Sequence, residues 1–220
     1  MRNLLGISGA ILLIFLIPSC MKDEDNSTKD RDSNVYNSVT IGTQIWMAEN
    51  LKTTKYNDGT VIPNVTDGSP WQVLVTGAYC WFNNEITNKN TYGALYNWYA
   101  INTGKLCPIG WHVPTDAEWT TLTTFLGGEM IAGDKLKETG TTHWLFPNIN
   151  ASNSTNFTAL PGAGRGYVGT FFQLGYTGDW WSSTERGTEA WGYELIGSNG
   201  YIYRNPFPKG NGFSVRCIKE

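Results

Sequence analysis

The chain has 220 residues, enough for one sizeable core or two small ones, and a formal charge of −3 from 16 basic and 19 acidic residues. Charged residues are only 16 % of the total and aromatic residues are 14 %. This excludes a nucleic-acid binder built on a cationic face, and it excludes a disordered acidic tail. Ten Trp, 11 Tyr and 25 Gly instead suggest an aromatic, loop-rich fold of the kind used by extracytoplasmic binding and scaffold domains.

Residues 1–19 open with Arg2, run apolar from Ile11 to Ile17 and end on a small residue, Ser19. The run is too short to span a bilayer, which needs about 20 apolar residues, and has the form of a secretory signal. The sequence Leu16-Ile17-Pro18-Ser19-Cys20 resembles the bacterial lipobox. That resemblance implies cleavage before Cys20, acylation of Cys20 and a membrane partner through the lipid anchor. The acidic stretch Met21–Asp25 resembles the surface-export signal of Bacteroidetes lipoproteins, which implies an outer-membrane protein exposed at the cell surface. Residues 20–34 are almost free of apolar side chains and read as a flexible acidic tether. The folded domain is expected over 35–220.

The first predicted element is a hairpin, with Val39–Ile41 and Gln44–Met47 flanking Gly42-Thr43. Asn57-Asp58-Gly59 reads as a turn. Val73–Val75 and Ala78–Phe82 read as short strands or buried extended segments. Tyr92, Leu95, Tyr96 and Tyr99 fall on one helical face and predict a helix over Thr91–Ile101. A second helix starts at Thr115, an N-cap with Glu118 three residues on, and stops at Gly127-Gly128. A short helix is expected over Ala132–Thr139. Beyond Asn148 the helical period disappears, and short strands separated by Gly-rich turns are expected at 157–160, 180–181, 190–196, 201–204 and 213–218. The fold class is α+β, with two main helices, small antiparallel sheets and long irregular loops.

Several strings then point to one family: VTIGTQIWMAENL at 39–51, YCWFNN at 79–84, YGALYNWY at 92–99, CPIGWHVPTDAEW at 107–119, FTALPG at 157–162 and GFSVRC at 212–217. In this order they resemble the Fibrobacter succinogenes major paralogous domain over essentially all of 36–220. More remotely, VPTDAEW and the GFSVRC ending are similar to the formylglycine-generating enzyme group. That similarity implies a C-type-lectin-like fold, with the first and last strands side by side. In such folds a disulfide ties the terminal strand to a helix region, which implies a Cys107–Cys217 bridge and leaves Cys80 as a buried small hydrophobe. The closed loop of roughly 110 residues is worth about 4–5 kcal/mol in the chain-entropy model.

The inventory for catalysis is thin. No cysteine lies between 107 and 217, where the formylglycine-generating enzymes carry a reactive pair. His112 and His143 have no metal-ligand partners at the required spacing. The run Asp30–Asn34 opens like an EF-hand loop but has Val35 and Ile41 where Gly and Glu belong. No serine elbow or phosphate loop is present. No catalytic residue, metal site or cofactor is expected, while a structural calcium on backbone carbonyls stays open. The aromatics remain. Trp180 and Trp181, in Gly-rich loop territory, are the candidate stacking faces, with Arg165, Asn156 and Asp179 as polar contacts. The expected function is a surface-anchored, non-catalytic recognition domain for glycan or extracellular protein, with no nucleic-acid partner. The alternatives are a structural or adhesion component of the envelope and, behind it, an oxidase of the formylglycine-generating type.

Acylation of Cys20 is directly testable. Intact-mass measurement of the chain extracted from its own membrane should give a chain starting at residue 20 with added acyl mass. An unmodified cysteine would remove the anchor.

Overall fold

The computed structural model describes residues 27–220. The leader, Cys20 and the acidic stretch lie outside the described residues. Folding starts earlier than composition suggests. β1 (Thr28–Lys29) pairs with β2 (Val35–Tyr36) around a turn built on Asp30. The Asp30 carboxylate accepts from the N–H groups of Asp32 and Asn34, from Asn34 Nδ2 and from the Tyr36 hydroxyl, at 2.6–2.9 Å. Asp32 accepts from Thr54 and pairs with Lys55 at 3.1 Å. Residues too polar to form a core are thus tied down by hydrogen bonds. The expected tether through residue 34 is corrected, because 28–34 belong to the folded body. The EF-hand-like carboxylates are spent on local turns.

β3 (Ser38–Ile41) and β4 (Gln44–Met47) form the expected hairpin, with Ser38 opposite Met47 and Ile41 opposite Gln44. Gly42 has φ +63°, and a Cβ there would meet the Phe125 ring at 2.9 Å. α1 (Gly68–Gln72) follows where sequence indicated no helix. Its Trp71 is the buried anchor and donates to Gly210 O at 2.8 Å, while Val73 and Val75 are exposed, so the strand expected at 73–75 is absent.

The helix expected over Thr91–Ile101 is also corrected. After β5 (Tyr79–Cys80), the chain makes α2 (Lys89–Tyr92), then β6 (Leu95–Asn97), then α3 (Trp98–Ile101). Gly93 stops α2 at φ +78°, packed so closely that a Cβ would lie 2.7 Å from Leu51 O. Every β6 residue is buried, and in a segment buried on all sides apolar spacing no longer reports a helical face.

β7 (Trp111–His112) leads to α4 (Asp116–Phe125), which carries the predicted capping box. Glu118 N donates to Thr115 Oγ1 at 3.2 Å, and Thr115 N donates to Glu118 Oε2 at 2.7 Å. Gly127 and Gly128 end the helix at φ +101° and +102°. α5 (Ala132–Leu136) is shorter than expected, because Lys137 turns extended and bridges to Ala159. The remaining strands are β8 (Gly164–Arg165), β9 (Phe171–Phe172), β10 (Thr177–Arg186), β11 (Glu189–Ile196), β12 (Ile202–Pro208), β13 (Gly212–Phe213) and β14 (Ile218–Lys219).

The strands pair antiparallel into small sheets ordered β10-β11-β12, β5-β6-β13-β8-β9 and β3-β4-β14-β7, beside the β1–β2 hairpin. The fold is mixed α and β, mostly small antiparallel sheets with few helices. The last residues close it: β13 lies between β6 and β8, and β14 lies between β4 and β7. Cys107 and Cys217 form a disulfide, and Cys80 is free and buried. Its thiol is pushed up to about 11 by burial, against the opposing effect of Arg165.

Replacing Cys107 and Cys217 by alanine should cost roughly 2–5 kcal/mol. Thr115→Ala should cost about 1 kcal/mol through the lost cap. The Thr115→Ala loss is read as a shift of the urea midpoint at unchanged slope, and the disulfide loss from midpoint and slope together, because the unbridged unfolded chain exposes more surface.

Candidate binding site

Of the five residues expected to bind ligand, the structure buries all but Asn156. Trp180 and Trp181 are 1 % and 0 % exposed, so neither offers a stacking face. Successive strand residues point to opposite sides, and β10 is buried on both. Trp180 meets Phe157 and donates to Asn50 Oδ1 at 2.9 Å, while Trp181 packs on Phe213 and donates to Tyr96 O at 2.8 Å. Two consecutive tryptophans therefore serve two different cores. Arg165 is also buried, with its guanidinium donating to the carbonyls of Val65, Thr66 and Gly169 at 2.7–2.9 Å. Asn156 is exposed in a left-handed turn at φ +56°. Asp179 is buried, accepts from Thr177 Oγ1 at 2.9 Å and lies opposite Glu194 on the neighbouring strand.

Of the loop aromatics read from the Gly-rich region, Tyr167 reaches solvent, while two of the most exposed rings are other loop residues. Phe146 is 86 % and Tyr176 60 % exposed. They border a groove of about 370 Å³, shared with Leu145, Gln173 and Ser198.

A second recess, about 320 Å³, lies at the meeting of five chain segments. Glu49 and Lys52 come from the segment after β4, and Asn90 and Thr91 from α2. Glu138 and His143 come from the loop after α5, and Leu160 and Arg216 are also in the lining. Glu138 grips His143 Nδ1 with both oxygens, at 2.8 and 2.9 Å. A carboxylate only accepts, so Nδ1 carries the proton, and in the neutral ring Nε2 keeps its lone pair. The Tyr92 ring meets the imidazole edge-on at 5.9 Å. Burial and the Glu138 charge hold the Tyr92 hydroxyl above its ordinary range.

Arg216 is fully enclosed, and burial pulls its guanidinium down to about 9, with Glu49 opposing. It donates to Asn50 Oδ1 at 2.9 and 3.1 Å, to Met47 O at 3.2 Å and to Phe157 O. His143 was weighed in sequence as a lone histidine, and its carboxylate partner five residues earlier sits in a loop that no local pattern specifies. Among the described residues there is no group of three or more His, Cys, Asp or Glu placed to hold a metal ion, and no helix is long and apolar enough to cross a membrane.

A small mixed α and β domain with a disulfide at its closing strand and ligand-sized recesses between its loops is the class that these observations define. The chain belongs to the Fibrobacter succinogenes major domain family, whose pattern matches residues 39–219. No curated protein and no solved structure matches it.

The Asp179 carboxyl gives a pH prediction. Burial first, then the Glu194 charge, pushes it up to about 7, against an ordinary value of 3.8. The folded state therefore holds a proton that the unfolded chain releases, and stability should fall as pH rises from about 4 through about 7. Asp179→Asn keeps an acceptor for Thr177 and cannot ionise. Its melting temperature should match wild type at pH 4, exceed it at pH 8 and lose that part of the pH dependence.

Proposed function

We propose that the protein is a non-catalytic recognition domain of C-type-lectin-like fold, lipid-anchored at the outer surface of the cell, that takes a hydroxyl-rich ligand, a saccharide, in the Glu138–His143 recess. The observation that carries this reading is the recess itself. Its lining combines His143, oriented by Glu138, with the polar residues Asn90, Thr91 and Lys52. Saccharide hydroxyls need such alternating donors and acceptors. The Phe146 groove adjoins this loop, since Phe146 is three residues after His143 and Leu145 N donates to Gly175 O, next to Tyr176, at 2.8 Å.

A histidine–carboxylate pair also suits general-base chemistry, but that role in acyl transfer needs a nucleophile against the free ring nitrogen. Among the described residues no hydrogen bond joins His143 to a serine, threonine or cysteine. Binding is therefore the better use of the pair. The lectin-like assignment draws on the pairing of β14 with β4, the second strand of the β3–β4 hairpin, which brings an early strand beside the last one, although β1 itself pairs with β2.

The test is a glycan and host-protein array probed with the mature chain, followed by titration of the best glycan. His143→Ala and Asn90→Ala, each first shown to be folded, should weaken binding roughly three- to tenfold, the range of one lost hydrogen bond. Folded variants that bind as wild type would move the site elsewhere. Absence of binding to any glycan or protein would favour the structural-envelope reading.

A further inference from the structure

We propose that the face around the β1–β2 hairpin rests on the phosphate-bearing surface of the membrane that holds the anchor; the proposal depends on acylation of Cys20. Only six residues, 21–26, separate Cys20 from Ser27. At no more than about 3.6 Å per residue, Ser27 lies within roughly 25 Å of the acylated cysteine. A domain of this size is about 40 Å across. The hairpin end therefore cannot turn away from the bilayer.

That end has the chemistry for the contact. Lys29 and Arg31 are exposed and line a shared recess with Lys55 and Ile109. Ile109 is 75 % exposed, and Val61, bridged to Lys55, is 64 % exposed. The neighbouring acids are already engaged. Asp32 holds Lys55 at 3.1 Å and Asp58 holds Lys105 at 2.9 Å, while Asp30 is turned into its own turn by four neutral donors and keeps its charge. Arg31 Nε donates to Asn57 O at 2.6 Å, which fixes the side chain without neutralising it. Among the described residues, neither Lys29 nor Arg31 is in an ion pair with a carboxylate. Lys29, Arg31 and Lys55 outnumber Asp30 and Asp32, so this face keeps a net positive charge beside exposed aliphatic side chains; that matches a headgroup layer, where phosphates take the charge and the aliphatic groups sink at its edge. Asp23, Glu24 and Asp25 in the connecting span share the sign of lipid phosphate, so attraction must come from cations such as Lys29 and Arg31.

The experiment uses the acylated mature chain in phosphatidylcholine vesicles with and without phosphatidylglycerol. A fluorophore is placed at Val61→Cys or, as an exposed reference whose groove shares no residue with the hairpin recess, at Phe146→Cys, since Cys80 is buried and the other described cysteines are bridged. Headgroup nitroxide lipids should quench the probe at 61 several-fold more than that at 146. High salt, omission of phosphatidylglycerol, or the pair Lys29→Glu and Arg31→Glu should abolish most of the difference. Equal quenching at the two positions of an acylated chain would overturn the face alone, as would a difference indifferent to salt and charge reversal. An unacylated Cys20 in the intact mass of the same preparation would overturn the anchor and, with it, the proposal.

Discussion

Arg216 holds together segments that are far apart in the chain. A fully buried guanidinium must have each N–H accepted, because its desolvation is otherwise uncompensated. Here the acceptors are Met47 O at the end of β4, Asn50 Oδ1 just after it, and Phe157 O and Thr158 O in the long loop region. Asn50 extends the set by accepting from Trp180 and donating to Tyr92 O and Ser214 Oγ. The next residue, Cys217, is covalently joined to Cys107 just before β7. Non-polar replacement of Arg216 would remove its donors from the Met47 and Phe157 carbonyls and leave Asn50 Oδ1 with Trp180, so the site is not interchangeable with an ordinary apolar core position.

The same solution recurs twice. Arg165 is capped by three carbonyls, with its guanidinium 4.4 Å from the Trp71 ring and 4.8 Å from Phe171. Lys137 donates to the carbonyls of Ile149, Ile196 and Asn199 and faces Trp144 at 5.7 Å. Each cation gathers backbone from segments that make no regular ladder with one another. Loop carbonyls buried without strand partners would destabilise the domain, and a multivalent donor satisfies several at once. This explains how so much irregular chain is held in one arrangement.

A base fixed in this way leaves loop side chains free to serve as a binding surface. Glu138 and His143 stand just beyond Lys137, and Phe146 follows the Trp144 that covers it. The surface recesses thus arise where buried cations bring loops together, while the tryptophans of β10 are consumed in making the base.

What the sequence determined is what a few neighbouring residues can decide. The turn at Gly42, the Thr115–Glu118 capping box and the stop at Gly127 depend on hydrogen bonds and dihedral angles within about one helical turn, and each is found where the pattern placed it. The Cys107–Cys217 pairing was legible through family resemblance and not through spacing. Tertiary structure alone decided that the run from Tyr92 to Tyr99 breaks at Gly93, that both Trp180 and Trp181 are enclosed, and that Glu138 and His143 open onto Asn90 and Thr91. Those outcomes depend on which distant segment covers a residue. An aromatic ring between glycines looks the same in sequence whether it faces solvent or a second core, because burial is set by neighbours that may be a hundred residues away.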